Sequence, residues 1–155
     1  MPLGRLIEQY ASGPELIRQS VAGMSEAQVH ARPIPGKWTT LEVVSHLADF
    51  EVVGADRLTA VIAEEEPVLP GRNEQKYAAR LAYHQRDLEE QLRLIEFCRS
   101  HVTRVLRTLT EADLSRRGIH SEAGPLTLEK LLLRVINHVP HHVTFIHEKR
   151  QALGL

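Results

Sequence analysis

A chain of 155 residues, 43% hydrophobic and 25% charged, has the length and composition of one folded domain (residues 1–155) around a single core. Its 19 Lys+Arg against 20 Asp+Glu create no field for nucleic acid or anionic lipid. No apolar run nears the roughly 20 residues of a membrane span, and MPLGRLIEQYASG has no apolar signal segment, so a cytoplasmic protein is expected. The lone Cys98 excludes an internal disulfide and, inside a helical run, reads as a buried structural thiol rather than a nucleophile.

Helical spacing opens the chain. Leu3, Leu6, Ile7 and Tyr10 lead on to Leu16, Ile17 and Val21, with Ser12 and Pro14 placed to cap or restart the helix midway. Ser25 with Gln28 forms a capping box for one short turn of helix, and two prolines and a glycine between residues 32 and 37 make a loop. Thr39 with Glu42 is a second capping box. It starts a long helix that Pro67, Pro70 and Gly71 end beyond about Glu64. A short helix is predicted around Glu74–Arg80.

A third long helix starts near Asp87 and carries Leu88, Leu92, Ile95, Arg99, Val102, Leu106 and Leu109, an apolar seam that Arg99 interrupts. Residues 110–125 read as connection, and Thr127 starts a last helix towards Ala152. Apolar and polar residues alternate nowhere over a useful length, so strands are not expected. Four long helices predict an all-α four-helix bundle. GMSEAQVHAR (23–32) resembles TLTEADLSRR (108–117), and a Thr-Leu-Glu helix start follows each, at 40–42 and 127–129. That pattern points to an internal repeat with a pseudo-twofold relation.

Nine histidines stand out, four of them between residues 138 and 147. Residues four apart on a helix share a face, with Cβ atoms about 5–6 Å apart, and two imidazoles so placed can converge on one metal. His138 and His142 have that spacing. At about 100° per residue, Leu131, Val135, His138, His142, Phe145 and Ile146 form one stripe, while His141 falls about 100° from His142, at its edge. Two unpartnered core histidines would be costly. As a pair they read as metal ligands ahead of separately hydrogen-bonded core residues. Val139 stands where the zinc protease motif has its glutamate, so that base is lacking.

A third ligand must come from another helix, and His46, beside the stripe of Val43, Leu47, Phe50 and Gly54, is the best candidate. Glu42 and Asp49 flank it as possible extra or supporting ligands, although the capping box already explains Glu42 and Asp49 reads as a solvated charge. Arg57 lies on the same face. It can bind an anionic substrate or pair with a carboxylate on a neighbouring helix, and the pairing is the favoured expectation. His30, His84, His101, His120 and His147 have no ligand spacing and read as structural or surface residues. Pro140 costs a helix interior about 3 kcal/mol or more, frees the Ile136 carbonyl and bends the helix beside the ligands.

PGKWTTLEVVSHLADFE, LRTLTEADLSRRGIHSEAGPLTLEKLLLRVINHVPHH and NHVPHHVTFI, in that order and separation, resemble the DinB/YfiT-like superfamily of metal-dependent enzymes over nearly the whole chain. The resemblance implies an up-down-down-up four-helix bundle and often a homodimer. It implies a divalent metal, commonly zinc or nickel, on His46, His138 and His142. Where activities are known in the superfamily, they include thiol-dependent S-transferases and isomerases.

The expectation is therefore a metal-dependent enzyme using a low-molecular-weight thiol on a small electrophile. The alternatives are a metal-dependent hydrolase and a non-catalytic metal-binding or dimeric scaffold. Nucleic-acid binding lacks a basic patch. Residues 66–76 and 110–126 are the expected walls of a substrate entrance.

Overall fold

Six helices and three short strands build the computed structural model, which describes residues 1–155. In chain order they are α1 (Leu3–Val21), α2 (Glu26–His30), α3 (Thr40–Ala63), β1 (Val68–Leu69), α4 (Glu74–Arg80), α5 (Leu88–Leu106), β2 (Arg117–His120), β3 (Gly124–Thr127) and α6 (Leu128–Ala152). The helices start where the sequence caps them. Ser25 and Thr39 form complete capping boxes with Gln28 and Glu42, and Asp87 and Thr127 accept from the backbone N–H three residues on.

Pairwise contacts fix the direction of the four long helices. Met1 meets Glu129 at one end of α1, and Arg150 reaches the Ser20 and Ala22 carbonyls at the other, so α1 and α6 run parallel. Arg86, just ahead of α5, meets Asp49, and Arg99 meets Glu51 further along, so α3 and α5 are also parallel. Arg18 pairs with Glu89 while Tyr10 meets Arg99, which makes α1 antiparallel to α5. Gly54 lies against Val135 while His46 meets His142, which makes α3 antiparallel to α6.

The order is up-down-down-up, with the sequential pairs α1/α3 and α5/α6 on the diagonals. Exchanging α1 with α5 and α3 with α6 carries one parallel pair onto the other, which is the pseudo-twofold relation of the repeat. The Ser25 capping box of α2 has its counterpart in Thr110, which opens a 3-10 turn over Glu111–Ser115.

Parallel neighbours need a long crossover, and residues 64–87 supply it between α3 and α5, carrying β1 and α4. The strands correct the expectation of none. β1 pairs parallel with β2, and β2 forms an antiparallel hairpin with β3. They are two to four residues long, too short for a period of two, and Pro125 lies in the edge strand β3, where a missing N–H is tolerated. Gly118 is required where β2 crosses the end of α3. A Cβ there would lie 2.9 Å from side-chain atoms of both Leu69 and Val61.

Two apolar clusters fill the bundle. One gathers Leu6, Leu58, Val102, Leu106 and Leu132, and the other Ile17, Leu47, Ile95, Val139 and Val143. Between them lies the pair Arg99–Glu51, 1% and 0% exposed. Its presence explains the interrupted seam of α5. Pro14 neither caps nor restarts α1, which is continuous through it. Its missing N–H frees the Tyr10 carbonyl, and Arg99 Nη1 donates to that oxygen at 2.7 Å. Gly13 makes room, since a Cβ there would overlap the guanidinium. α6 likewise runs unbroken through Pro140. No helix is long and apolar enough to cross a membrane.

Candidate metal centre

The Thr39 cap sets the start of α3 so that His46 comes two turns later on the face towards α6. The buried seam of α6 is centred on Ile136, Val139 and Val143, and His138 and His142 lie on its flank towards α3. Three Nε2 atoms converge there. His46 Nε2 is 3.1 Å from His138 Nε2 and 3.1 Å from His142 Nε2, and a donor atom of each residue lies within 4.8 Å of the others. His46 is fully buried and His142 is 7% exposed.

Aromatic packing holds the rings. Trp38 and Phe50 centroids are 5.2 and 4.6 Å from His46, and Phe145 is 5.4 Å from His142.

Burial pushes all three imidazoles down to about 3, helped by the charge each would place on its neighbours. All three are therefore neutral at pH 7. One His46 Nε2–H can donate to only one of the two nitrogens beside it, so hydrogen bonding cannot satisfy the cluster. A divalent cation can. Tetrahedral bonds of about 2.0–2.1 Å place ligand nitrogens about 3.3 Å apart, close to the separations found. The Nδ1 atoms of His46 and His142 are buried without a protein partner. No carboxylate fixes these rings from behind, and packing alone orients them.

The other candidates are engaged elsewhere. Glu42 receives Arg32 besides capping α3, and Asp49 forms a two-point pair with Arg86. Neither supports a ligand, and Asp49 is not a solvated charge. Arg57 corrects the expected ion pair, since it donates to the Pro70 carbonyl at 2.6 Å and meets no carboxylate. His141 is exposed at the edge, as helical phase placed it. His30, His84, His101 and His147 are exposed, whereas His120 is buried. Cys98 is half-buried, and burial, then Glu51, push its thiol up, away from reactivity.

Two residues escaped the sequence reading. Glu74, at the start of α4, places Oε2 4.0 Å from His46 Nε2 while remaining exposed. Lys149, 3% exposed, donates to the Phe145 carbonyl, and burial lowers its pKa. Both line a cavity of ≈ 680 Å³ that opens onto His142, with Trp38, His141 and Phe145. No local signal marks Glu74, because the crossover brings it in from beyond two prolines. Lys149 follows His142 by seven residues, two helical turns, and could have been found by phase.

The family model of the DinB superfamily matches residues 9–146. A relative from Oceanobacillus iheyensis is 30% identical over 86% of this chain and 77% of its own. YfiT of Bacillus subtilis (strain 168) is 28% identical over 91% of this chain and 80% of its own. Both bear the designation "Putative metal-dependent hydrolase". The solved structure of YfiT, described as having an unusual four-helix bundle topology, superimposes with a TM-score of 0.89 at 27% identity, covering 98% of this chain and 87% of that one.

Proposed function

The chain belongs to the DinB superfamily, and on that footing we propose that it is a metal-dependent enzyme that joins a small thiol to an electrophile. In this reading His46, His138 and His142 hold a divalent cation, zinc or nickel. The observation that carries the proposal is the convergence of three neutral imidazole Nε2 atoms, from buried His46 and His142 and half-buried His138, beside an open cavity. A cation on three imidazoles keeps a coordination position free and supplies the Lewis acidity that favours the deprotonated form of a thiol or water near neutral pH.

The chain's own residues do the rest. Glu74 stands where it can accept the nucleophile's proton. Lys149 and Lys37 face the same cavity and offset negative charge that develops on the electrophile. Trp38 and Phe145 wall the cavity with apolar surface and thin the water around the reacting atoms. The resemblance to thiol-using members supports S-transfer, and ≈ 680 Å³ accommodates a thiol and an acceptor together. Hydrolysis is the second reading, favoured by the designation of the relatives, and it uses the same residues with water as nucleophile.

The test incubates metal-loaded protein with a panel of low-molecular-weight thiols and an activated aryl halide, in parallel with activated esters without thiol. A conjugate that requires both thiol and metal supports S-transfer. Thiol-independent, chelator-sensitive ester cleavage replaces it with hydrolysis. Bound metal with neither product refutes the enzymatic reading.

A further inference from the structure

On the side of His138 towards the crossover lies a second, smaller recess of ≈ 140 Å³. Phe50, His138 and Val135 form its apolar side and Arg57, His120 and Arg134 its polar side, with no carboxylate in its lining. We propose that this recess is the binding subsite for an anionic group of the substrate, a carboxylate or phosphate, which anchors one end of the molecule while the other reaches the histidine cluster.

Three residues that line the recess carry donors without a protein partner. His120 is 8% exposed, and its Nδ1 accepts from the Glu122 and Ala123 backbone N–H groups. The ring proton is therefore on Nε2, which has no protein partner. Arg57 spends one N–H on the Pro70 carbonyl, and its buried Nε has no partner. Arg134 makes no ion pair, unlike the arginines at positions 18, 32, 86 and 99.

The cations also crowd one another. Burial, then Arg72, lowers the Arg57 pKa, while burial, Arg57 and Arg134 hold His120 neutral. Asp56 and Glu122 lie near enough to Arg57 to favour its charge but neither is in contact with it. An oxyanion in the recess would meet a polar side of two arginines and an imidazole with no carboxylate to compete for them, and arginine offers a carboxylate or phosphate its fork geometry.

Both segments expected to wall the entrance contribute here. Residues 66–76 supply the Pro70 carbonyl that orients Arg57, and residues 110–126 supply His120. The apolar wall is a metal-ligand candidate, so an anchored substrate would have its uncharged portion beside His138.

The subsite rests on the proposed enzyme for its purpose, but its binding can be measured independently. The full chain, as purified and after chelation, is titrated with inorganic phosphate and with succinate while the His120 ring and arginine side-chain signals are followed by NMR. Saturable binding is expected in both preparations. Arg134→Gln should weaken it about tenfold, the worth of one charge-assisted hydrogen bond. Arg107→Gln, an exposed control, should leave it unchanged, and so should His142→Ala. Phosphate and succinate binding alike supports a general oxyanion site, and preference for one names the group. Failure of both anions to saturate, or equal weakening by Arg107→Gln and Arg134→Gln, overturns the proposal. If the chain takes up no metal yet binds the anions, the subsite stands and the metal-centred reading falls.

Discussion

Replacing Arg99 with leucine tests how the bundle is pinned. Arg99 is 1% exposed and makes four polar or ring contacts. It donates at 2.5 Å to Glu51, at 2.7 Å to the Tyr10 carbonyl and at 3.0 Å to the Val135 carbonyl, and it stacks 4.5 Å from the Tyr10 ring centroid. Arg99→Leu leaves a buried carboxylate without its partner, a loss of about 3–5 kcal/mol. For a chain of this size that lowers the melting temperature by roughly 6–20 °C at about 2–4 °C per kcal/mol.

Burial raises the Glu51 pKa and Arg99 opposes that, so without Arg99 the raised pKa dominates. A carboxyl whose folded pKa is raised contributes fully below its unfolded value and loses that contribution as pH rises. The penalty of Arg99→Leu should therefore shrink as pH falls from 7 towards 4.5. Adding Glu51→Leu removes the orphaned charge, and the double variant should recover to within about 1–3 kcal/mol of wild type, the cost of the abandoned Tyr10 carbonyl. Pro14→Ala in that background restores an N–H to this carbonyl and should recover part of the remainder. Urea unfolding followed by helical circular dichroism measures each step. A loss below about 1 kcal/mol for Arg99→Leu, or a double variant as unstable as the sum of the singles, refutes the reasoning.

Zinc or nickel at about 100 times its dissociation constant should stabilise the chain by about 2.7 kcal/mol; a thermal shift that survives in His142→Ala would place the metal elsewhere. Metal-free protein should lose stability as pH falls below 6.5, because the three histidines, depressed to about 3 in the fold, take up protons first in the unfolded chain. The loss is about 2 kcal/mol per histidine at pH 5 before coupling, and a flat profile between pH 7 and 5 would contradict it. Glu74→Gln should slow turnover about 10²–10⁴-fold while metal content, measured by elemental analysis, stays unchanged; loss of metal would make Glu74 a ligand instead of a base.

Local chemistry carried the helices and the choice among the histidines. Caps at Ser25, Thr39, Asp87 and Thr127 act within three residues, so they were legible without a partner. A fixed rotation per residue separated His138 and His142 from His141 for the same reason. Trp38 and His46 share one capped segment, which is why the third histidine of the cluster could be read from about ninety residues away.

What pairs across the bundle belonged to the tertiary structure alone. The β1–β2 and β2–β3 pairings are short and depend on a crossover that no local pattern encodes. Arg99 looks like a flaw in a seam until Pro14, 85 positions earlier, is seen to free the carbonyl it binds. Glu74 carries no motif, because it reaches the site through the crossover that parallel helices α3 and α5 require, and His120 arrives on β2, whose pairing no local pattern encodes. Short-range geometry is written in residue spacing, whereas the meeting of distant side chains is decided by how the helices pack.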